Sequence, residues 1–270
     1  MIRGVLFDLG GTLHTVSSPE GRDVRFARLL LERLADYGIT LDAEPEELAK
    51  RLHENSEDYK HHSEADLREL PAVEIWNDWY LRDWAIGRER LAPAAEELSF
   101  RYDYERVRVV RRPWIKETLD ALRDQGMKLG LISNIISLSA APHFLKEYGV
   151  RDYMDCMVLS SAAGIRKPSA EIFRIAEREL GLGPEELAYV GDTLSRDVKG
   201  VRNAGWRLMI QIKNPGAAKR DKGLEHAGLR PDYLIEGLEE IPEIIRRENG
   251  NYSISPYRPY RRRHDDEPQY

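Results

Sequence analysis

The sequence predicts an α/β protein built on a doubly wound parallel sheet, with an all-helical unit inserted after the first strand. Three observations carry that expectation. Short apolar runs each close on a polar residue or glycine, and amphipathic helical patterns alternate with them. One long stretch, 16–111, breaks the alternation and shows helical periodicity with no buried strand.

In chain order the expected strands are "GVLFD" (4–8), "KLGLIS" (128–133), "CMVLS" (156–160), "LAYVG" (187–191), "RLMIQI" (207–212) and "DYLI" (232–235). Runs this short and continuously apolar are what a sheet covered on both faces requires. The helices between them are expected over Trp114–Gln125, Ser139–Tyr148, Ser169–Leu180 and Ser195–Ala204. Within the insertion, apolar residues recur at spacings of three and four. Phe26, Leu29, Leu30, Leu34 and Tyr37 form one stripe; Leu48, Leu52 and Tyr59 form another; Trp76, Trp79, Tyr80 and Trp84 form a third. The aromatic set reads as a packed helix seam rather than a substrate wall. Pro45, Pro71 and Pro93 punctuate these stripes at helix starts or stops. The organisation expected is an α/β core over 1–15 and 112–245, a helical domain over 16–111, and a tail over 246–270. The tail's last twenty residues, "NYSISPYRPYRRRHDDEPQY", have no periodic apolar pattern and are expected to be disordered, with Arg261, Arg262 and Arg263 solvated.

Composition narrows the function classes. Hydrophobic residues make up 41% and charged residues 33%, a globular balance. A net charge of −6 speaks against a broad nucleic-acid footprint. No apolar run approaches the roughly 20 residues that span a bilayer, so no membrane partner is expected. Met1-Ile2-Arg3 leads straight into the first strand, and Cys156 is the single cysteine. Both features suit a cytoplasmic protein without a disulfide framework.

The polar strand ends carry the chemistry. Asp8 closes the first strand and opens the turn Leu9-Gly10-Gly11-Thr12; Ser133 and Asn134 follow the second; Lys167 and Pro168 follow the third; Gly191 and Asp192 close the fourth, with Asp197 five residues on. Ligands of parallel sheets sit at the carboxyl ends of the strands, so two acids, a hydroxyl and a lysine can meet there. This ordered set resembles the haloacid dehalogenase superfamily of hydrolases, with a Rossmann-like core. Its motifs are an Asp-x-Asp-x-Thr turn, a Ser or Thr after a strand, a Lys often before Pro, and a Gly-Asp-x-x-x-x-Asp pattern. The helical insertion falls where that family commonly carries a cap.

The resemblance implies a phosphatase-like hydrolase acting on a small phosphorylated metabolite. Asp8 is then the nucleophile and Mg²⁺ the cofactor, held by Asp8, the Gly10 carbonyl, Asp192 and Asp197. Lys167 offsets charge, and Ser133, Asn134, Gly11 and Thr12 bind the phosphoryl group. One position departs from the family. Gly10 stands where its phosphatases usually have a second aspartate that protonates the leaving alcohol. A positioned acid–base group is worth about 10²–10⁴ in rate, so slow turnover, or preference for good leaving groups, is expected. A replacement acid could come from His14, His53, His61 or His62. The alternatives are a weakened relative that binds a phosphorylated ligand or protein partner, and phosphonate or carbon–halogen hydrolysis, the phosphonate reading needing Lys50 or Lys60.

Overall fold

The computed structural model describes residues 1–217, 221–224 and 228–250. Strand β1 (Gly4–Phe7) leads through a tight turn into β2 (His14–Ser17). Helices α1 (Arg22–Asp36), α2 (Pro45–Asp66), α3 (Ala72–Glu74), α4 (Arg88–Leu91) and α5 (Ala95–Tyr104) follow, and then β3 (Arg108–Arg111). The remaining chain runs α6 (Ile115–Asp124), β4 (Lys128–Ser133), α7 (Ala140–Glu147), β5 (Cys156–Leu159), α8 (Ser160–Ala163) and α9 (Ala170–Leu180). It ends with β6 (Leu187–Gly191), α10 (Lys199–Ala204), β7 (Leu208–Ile212), β8 (Tyr233–Ile235) and α11 (Ile241–Glu248). No described helix is long and apolar enough to cross a membrane.

Six strands form one parallel sheet in the order β5-β4-β1-β6-β7-β8. Strand pleating explains its buried faces. Val5 and Phe7 of β1 point into a core with Leu119 and Leu122 of α6, Phe144 of α7 and Ile244 of α11. Leu6 points the other way, against Ile172 and Phe173 of α9 and Val201 of α10. Chain order runs outward from β1 through β4 to β5, then restarts at β6 on the opposite side of β1. The crevice at a reversal of this kind is where open α/β sheets bind ligands.

The inserted helices have a core of their own, in which Phe26, Leu30, Leu34, Leu48, Leu52, Trp76, Tyr80 and Leu98 are buried. The insertion is not wholly helical at its edges. β2 and β3 pair antiparallel, His14 against Arg111 and Ser17 against Arg108, which joins the two chain crossings between core and insertion. The expected boundary at 15/16 therefore divides β2, whereas that at 111/112 falls at the end of β3. Its strands escaped the sequence reading because Val16 and Val110 lie exposed among charged residues, leaving no buried run to detect. The core also extends past 245. α11 continues to Glu248, and the Asn249 side chain accepts from Ile2 N at 2.6 Å and donates to Ile2 O at 2.9 Å. The remainder of the expected tail, 251–270, lies outside the described residues.

Two carboxylates of α5 hold the loop that follows β4. Glu96 accepts from Leu138 N and Ser139 N at 3.0 and 3.1 Å; Asp103 accepts from Ile136 N and Ser137 N at 3.1 and 2.9 Å. Burial pushes the Asp103 carboxyl up to about 7, the Ser137 N–H opposing and Glu69 adding repulsion. Between an unfolded value of about 4 and this folded value the native state binds the extra proton, so this group's contribution to stability falls as pH rises through that window. Asn at 103 keeps one acceptor for the two N–H groups and cannot ionise. Thermal melts from pH 4.5 to 8 should show Asp103→Asn gaining on the wild type as pH rises, by roughly 2–4 °C at pH 8. A constant difference across the series rules this account out.

Candidate active site

The site is assembled at the β1/β6 switch point. Asp8 N donates to Val190 O at 2.9 Å, which fixes the end of β1 against the strand carrying Asp192. Asp8 Oδ1 accepts from Leu9 N at 2.8 Å and Ser133 Oγ at 3.0 Å, and lies 3.0 Å from Lys167 Nζ. Among the described residues no donor reaches Asp8 Oδ2, which leaves that oxygen for other chemistry. The turn after it winds tightly: Thr12, Leu13 and His14 all direct their N–H groups at Leu9 O. Gly11 has φ +89, and a Cβ there would lie 2.1 Å from Asp192 Oδ2, so only glycine fits. Gly10 differs. A Cβ at position 10 meets only Val16 Cγ2 at 3.9 Å and His14 Nε2 at 4.0 Å.

Lys167 is almost wholly buried, and its ammonium has three acceptors for three N–H bonds: Asp8 Oδ1, Asp197 Oδ1 at 2.7 Å and Tyr189 OH at 2.8 Å. Tyr189 passes its own proton to Ile132 O at 2.7 Å. Burial opposes the lysine's charge, but Asp197 and Asp8 outweigh it and hold the group protonated. Asn134 clamps the loop after β4 to the loop after α8, donating to Lys167 O at 3.0 Å and accepting from Lys167 N at 2.8 Å.

The acids are unequal. Asp197 is fully buried, and its Oδ2 accepts from Asp192 N, Thr193 N and Thr193 Oγ1 at 3.2, 3.0 and 2.6 Å. Burial opposes its ionisation, yet Lys167 and Thr193 hold it below the usual carboxylate range. Asp8 is pushed up by burial, with Lys167 opposing and Asp197 adding. Asp192 is pushed up to about 7 by burial, then by Asp197 and Asp8, with Asn214 opposing through a 2.6 Å hydrogen bond to Oδ2.

Asp8, Lys167, Asp192 and Asn214 face a cavity of about 430 Å³. Asp8, Gly10, Gly11, Ser133, Asn134, Lys167 and Asp192 line it together with Val16, Ser17, Ser18, Arg196 and Asn214. One expectation needs correction. Thr12 is fully buried and off the cavity wall, and its hydroxyl has no partner among the described residues, so it does not reach a substrate here. Asp197 has both oxygens engaged by donors, so it orients Lys167 and the Asp192 loop, while one of its oxygens still lies within 4.8 Å of the other two acids. Neither Lys50 nor Lys60 lines the cavity, and Lys60 pairs with Glu57 at 2.7 Å, so the imine chemistry of the phosphonate reading finds no lysine of the helical unit there. Of the histidines among the described residues, His14 lies beside Gly10. It is buried, held through Nδ1 by Tyr148 OH at 2.8 Å, and burial lowers its pKa to about 4. His62 stacks on Trp79 within the helical unit.

Sequence reasoning missed Tyr189, Asn214, Arg112 and Arg196. Arg112 Nη2 donates to Gly11 O at 2.9 Å and Lys213 O at 2.8 Å, pinning the turn. The signal for Tyr189 was present, because a phenol inside an otherwise apolar strand must find a partner. Arg112, Asn214 and Arg196 carry no such mark.

A divalent cation fits the donor set. Asp8, Asp192 and Asp197 each place an oxygen within 4.8 Å of the others. Lys167 is the only buried cation among them, so a negative excess remains. Oδ1 of Asp192 receives no donor among the described residues, and all three acids offer carboxylate oxygens. These are hard oxygen donors of the kind Mg²⁺ prefers.

Similarity to known proteins extends over most of the chain. A family profile described as haloacid dehalogenase-like hydrolase matches residues 2–205. A glyceraldehyde 3-phosphate phosphatase of Methanopyrus kandleri is 28% identical over 248 residues, covering 91% of this chain and 98% of the relative. The crystal structure of a HAD phosphatase from Thermococcus onnurineus is similar at a TM-score of 0.55 and 26% identity, covering 90% of this chain and 98% of that one. A 2-haloacid dehalogenase from Pseudomonas syringae pv. Tomato has the same fold at a TM-score of 0.61 and 22% identity, over 92% and 100% of the two chains.

Proposed function

The chain belongs to the haloacid dehalogenase-like hydrolases, and from that premise we propose that it is a Mg²⁺-dependent phosphatase of small phosphorylated metabolites. The observation that carries the proposal is the convergence on Asp8 of Ser133 Oγ and Lys167 Nζ, both at 3.0 Å, with one carboxylate oxygen left free to attack. Oδ2 of Asp8 attacks phosphorus, the bond to the substrate's ester oxygen breaks, and an aspartyl-phosphate forms. Water then cleaves that acyl phosphate, releasing inorganic phosphate and restoring Asp8. Splitting one displacement into two is the advantage of covalent catalysis.

Each remaining side chain has a distinct task. The Lys167 ammonium offsets charge on the phosphoryl oxygens from a position fixed by Asp8, Asp197 and Tyr189, which costs no reorganisation during reaction. The Ser133 hydroxyl turns from Asp8 to a phosphoryl oxygen. Asn134 locks the Lys167 loop to the Ser133 loop. Asp197 keeps the Lys167 ammonium charged and aimed. Asp8, Asp192 and the Gly10 carbonyl would hold Mg²⁺, whose charge offsets repulsion between the carboxylate and the phosphate dianion. The cavity admits a short polar phosphomonoester, and the Methanopyrus kandleri relative makes glyceraldehyde 3-phosphate the first substrate to try.

Gly10 supports a second reading, a weakened relative that binds a phosphorylated ligand with little turnover. One screen separates the two. Phosphate release should need Mg²⁺, stop with a chelator, and run about 10² times faster on acetyl or p-nitrophenyl phosphate than on a triose phosphate, whose alkoxide leaves poorly without an acid. Equal rates on both classes would reveal an acid elsewhere. Phosphate-ligand binding without turnover favours the second reading.

A further inference from the structure

We infer that Glu69, a carboxylate carried by the inserted helical unit, is a positioning residue that holds the Lys167 loop in its working geometry. The inference rests on the role proposed for Lys167. The Glu69 side chain is completely buried. Residues just after α2 lie along the loop that leads into Lys167. Glu69 N donates to Gly164 O at 3.2 Å, Arg166 N donates to Leu67 O at 2.9 Å, and Arg68 bridges Ile165 antiparallel. The helical unit is thus stitched by backbone to the three residues that precede Lys167.

The carboxylate then joins three segments. Oε2 accepts from Ser160 Oγ at 2.7 Å and pairs with Nη1 of Arg166, the residue adjoining Lys167. Oε1 accepts from Tyr59 OH at 2.5 Å, and the same phenol accepts from Leu70 N at 3.1 Å. Ser160 reaches further, because its hydroxyl accepts from Ile135 N at 2.9 Å. Ile135 follows Ser133 and Asn134 directly. Glu69 therefore lies at the root of both loops that present groups to the phosphoryl site.

The energetics explain why the hold is firm. Arg166 is itself buried, and a buried guanidinium without its carboxylate is strongly unfavourable, so removing Glu69 drives Arg166 to find water. The shortest route is movement of the loop, and Lys167 moves with it. Lys167 Nζ is held by three acceptors at fixed distances, so a small loop shift breaks that set. Misplacement by about 1 Å can cost roughly 10² in rate. A helical unit that is bolted on in this way reports its own seating to the lysine.

A double-mutant cycle on the Mg²⁺-loaded full chain tests this with p-nitrophenyl phosphate. Glu69→Gln should lower kcat by about 10- to 100-fold with KM changed by less than about threefold, at a temperature where melting shows the protein folded. In the Glu69→Gln/Lys167→Ala double variant the losses should not multiply, so its rate stays within about threefold of Lys167→Ala alone. Multiplied losses mean that Glu69 does not act through Lys167 and overturn the inference. Tyr59→Phe leaves both core-side bonds of Glu69 in place and should lower the melting temperature while keeping kcat within about twofold. A Tyr59→Phe loss as large as that of Glu69→Gln assigns the effect to packing of the helical unit and overturns the inference as well. Should Glu69→Gln fail to fold, Ser160→Ala takes its place in the cycle with the same two outcomes. A Lys167→Ala protein running at the wild-type rate refutes the role proposed for Lys167, and the inference falls with it; a slow Lys167→Ala protein with multiplied losses leaves that role standing and refutes only the part given to Glu69.

Discussion

Asp8→Asn is expected to remove turnover, by roughly 10⁴-fold or more, while leaving the protein folded at least as stably as the wild type. An amide oxygen at Oδ1 still accepts from Leu9 N and Ser133 Oγ, so the end of β1 and the β4 loop keep their geometry. What disappears is the nucleophile, because an amide does not attack phosphorus. The stability argument follows from charge. Burial raises the Asp8 carboxyl above its unfolded value, so this group's contribution to stability falls as pH rises from the unfolded value to the folded one and stays lost above it. The neutral amide avoids the cost. Phosphate release and thermal melts, each with and without Mg²⁺, check both halves. The variant should also lose much of the melting shift that Mg²⁺ gives the wild type, since one of its proposed oxygen ligands has gone. Activity within tenfold of wild type would exclude Asp8 as the nucleophile.

The degree to which this site could be read from sequence depends on what each residue's role requires. Strands buried on both faces must be apolar without a break, so β1, β4 and β6 announced themselves, and the polar residues closing them marked the crevice. β2 and β3 obey no such constraint. Their ladder lies open to solvent, where Thr15, Val16, Arg108 and Val110 satisfy it as well as any other residues. Asp192 and Asp197 look alike in the sequence; only the donors around each separate them, and those come from Thr193, Lys167 and Asn214 across the fold. Tyr189 was hidden inside "LAYVG" as one more core residue. Glu69 was hidden in the opposite way, as one more acid in a chain where a third of the residues are charged. A buried carboxylate becomes visible only when its partners are known, and those of Glu69 lie up to 97 positions away.

Gly10→Asp tests whether the missing acid limits the enzyme. We expect kcat on a triose phosphate to rise by at least about tenfold, and on p-nitrophenyl phosphate to change little, because only the alkoxide needs a proton as it leaves. The site has room for the change. Unlike Gly11, position 10 lies outside the left-handed region, lines the cavity, and offers a Cβ only ordinary van der Waals contacts. The surroundings also favour the needed protonation state. Burial keeps His14 neutral, so its Nε2 can hydrogen-bond the new side chain without forming an ion pair that would strip its proton. The carboxylates of Asp8 and Asp192 repel a further negative charge and raise the newcomer's pKa, which keeps it in the form that donates. The ratio of the two kcat values is the decisive measurement, since a general change in folding or metal affinity moves both substrates together. A rise confined to the poor leaving group identifies proton transfer as the step that glycine leaves unassisted. A fall on both substrates means that the turn from Asp8 to Thr12 has become dependent on an unsubstituted residue 10, and that the proton comes from elsewhere in the bound complex.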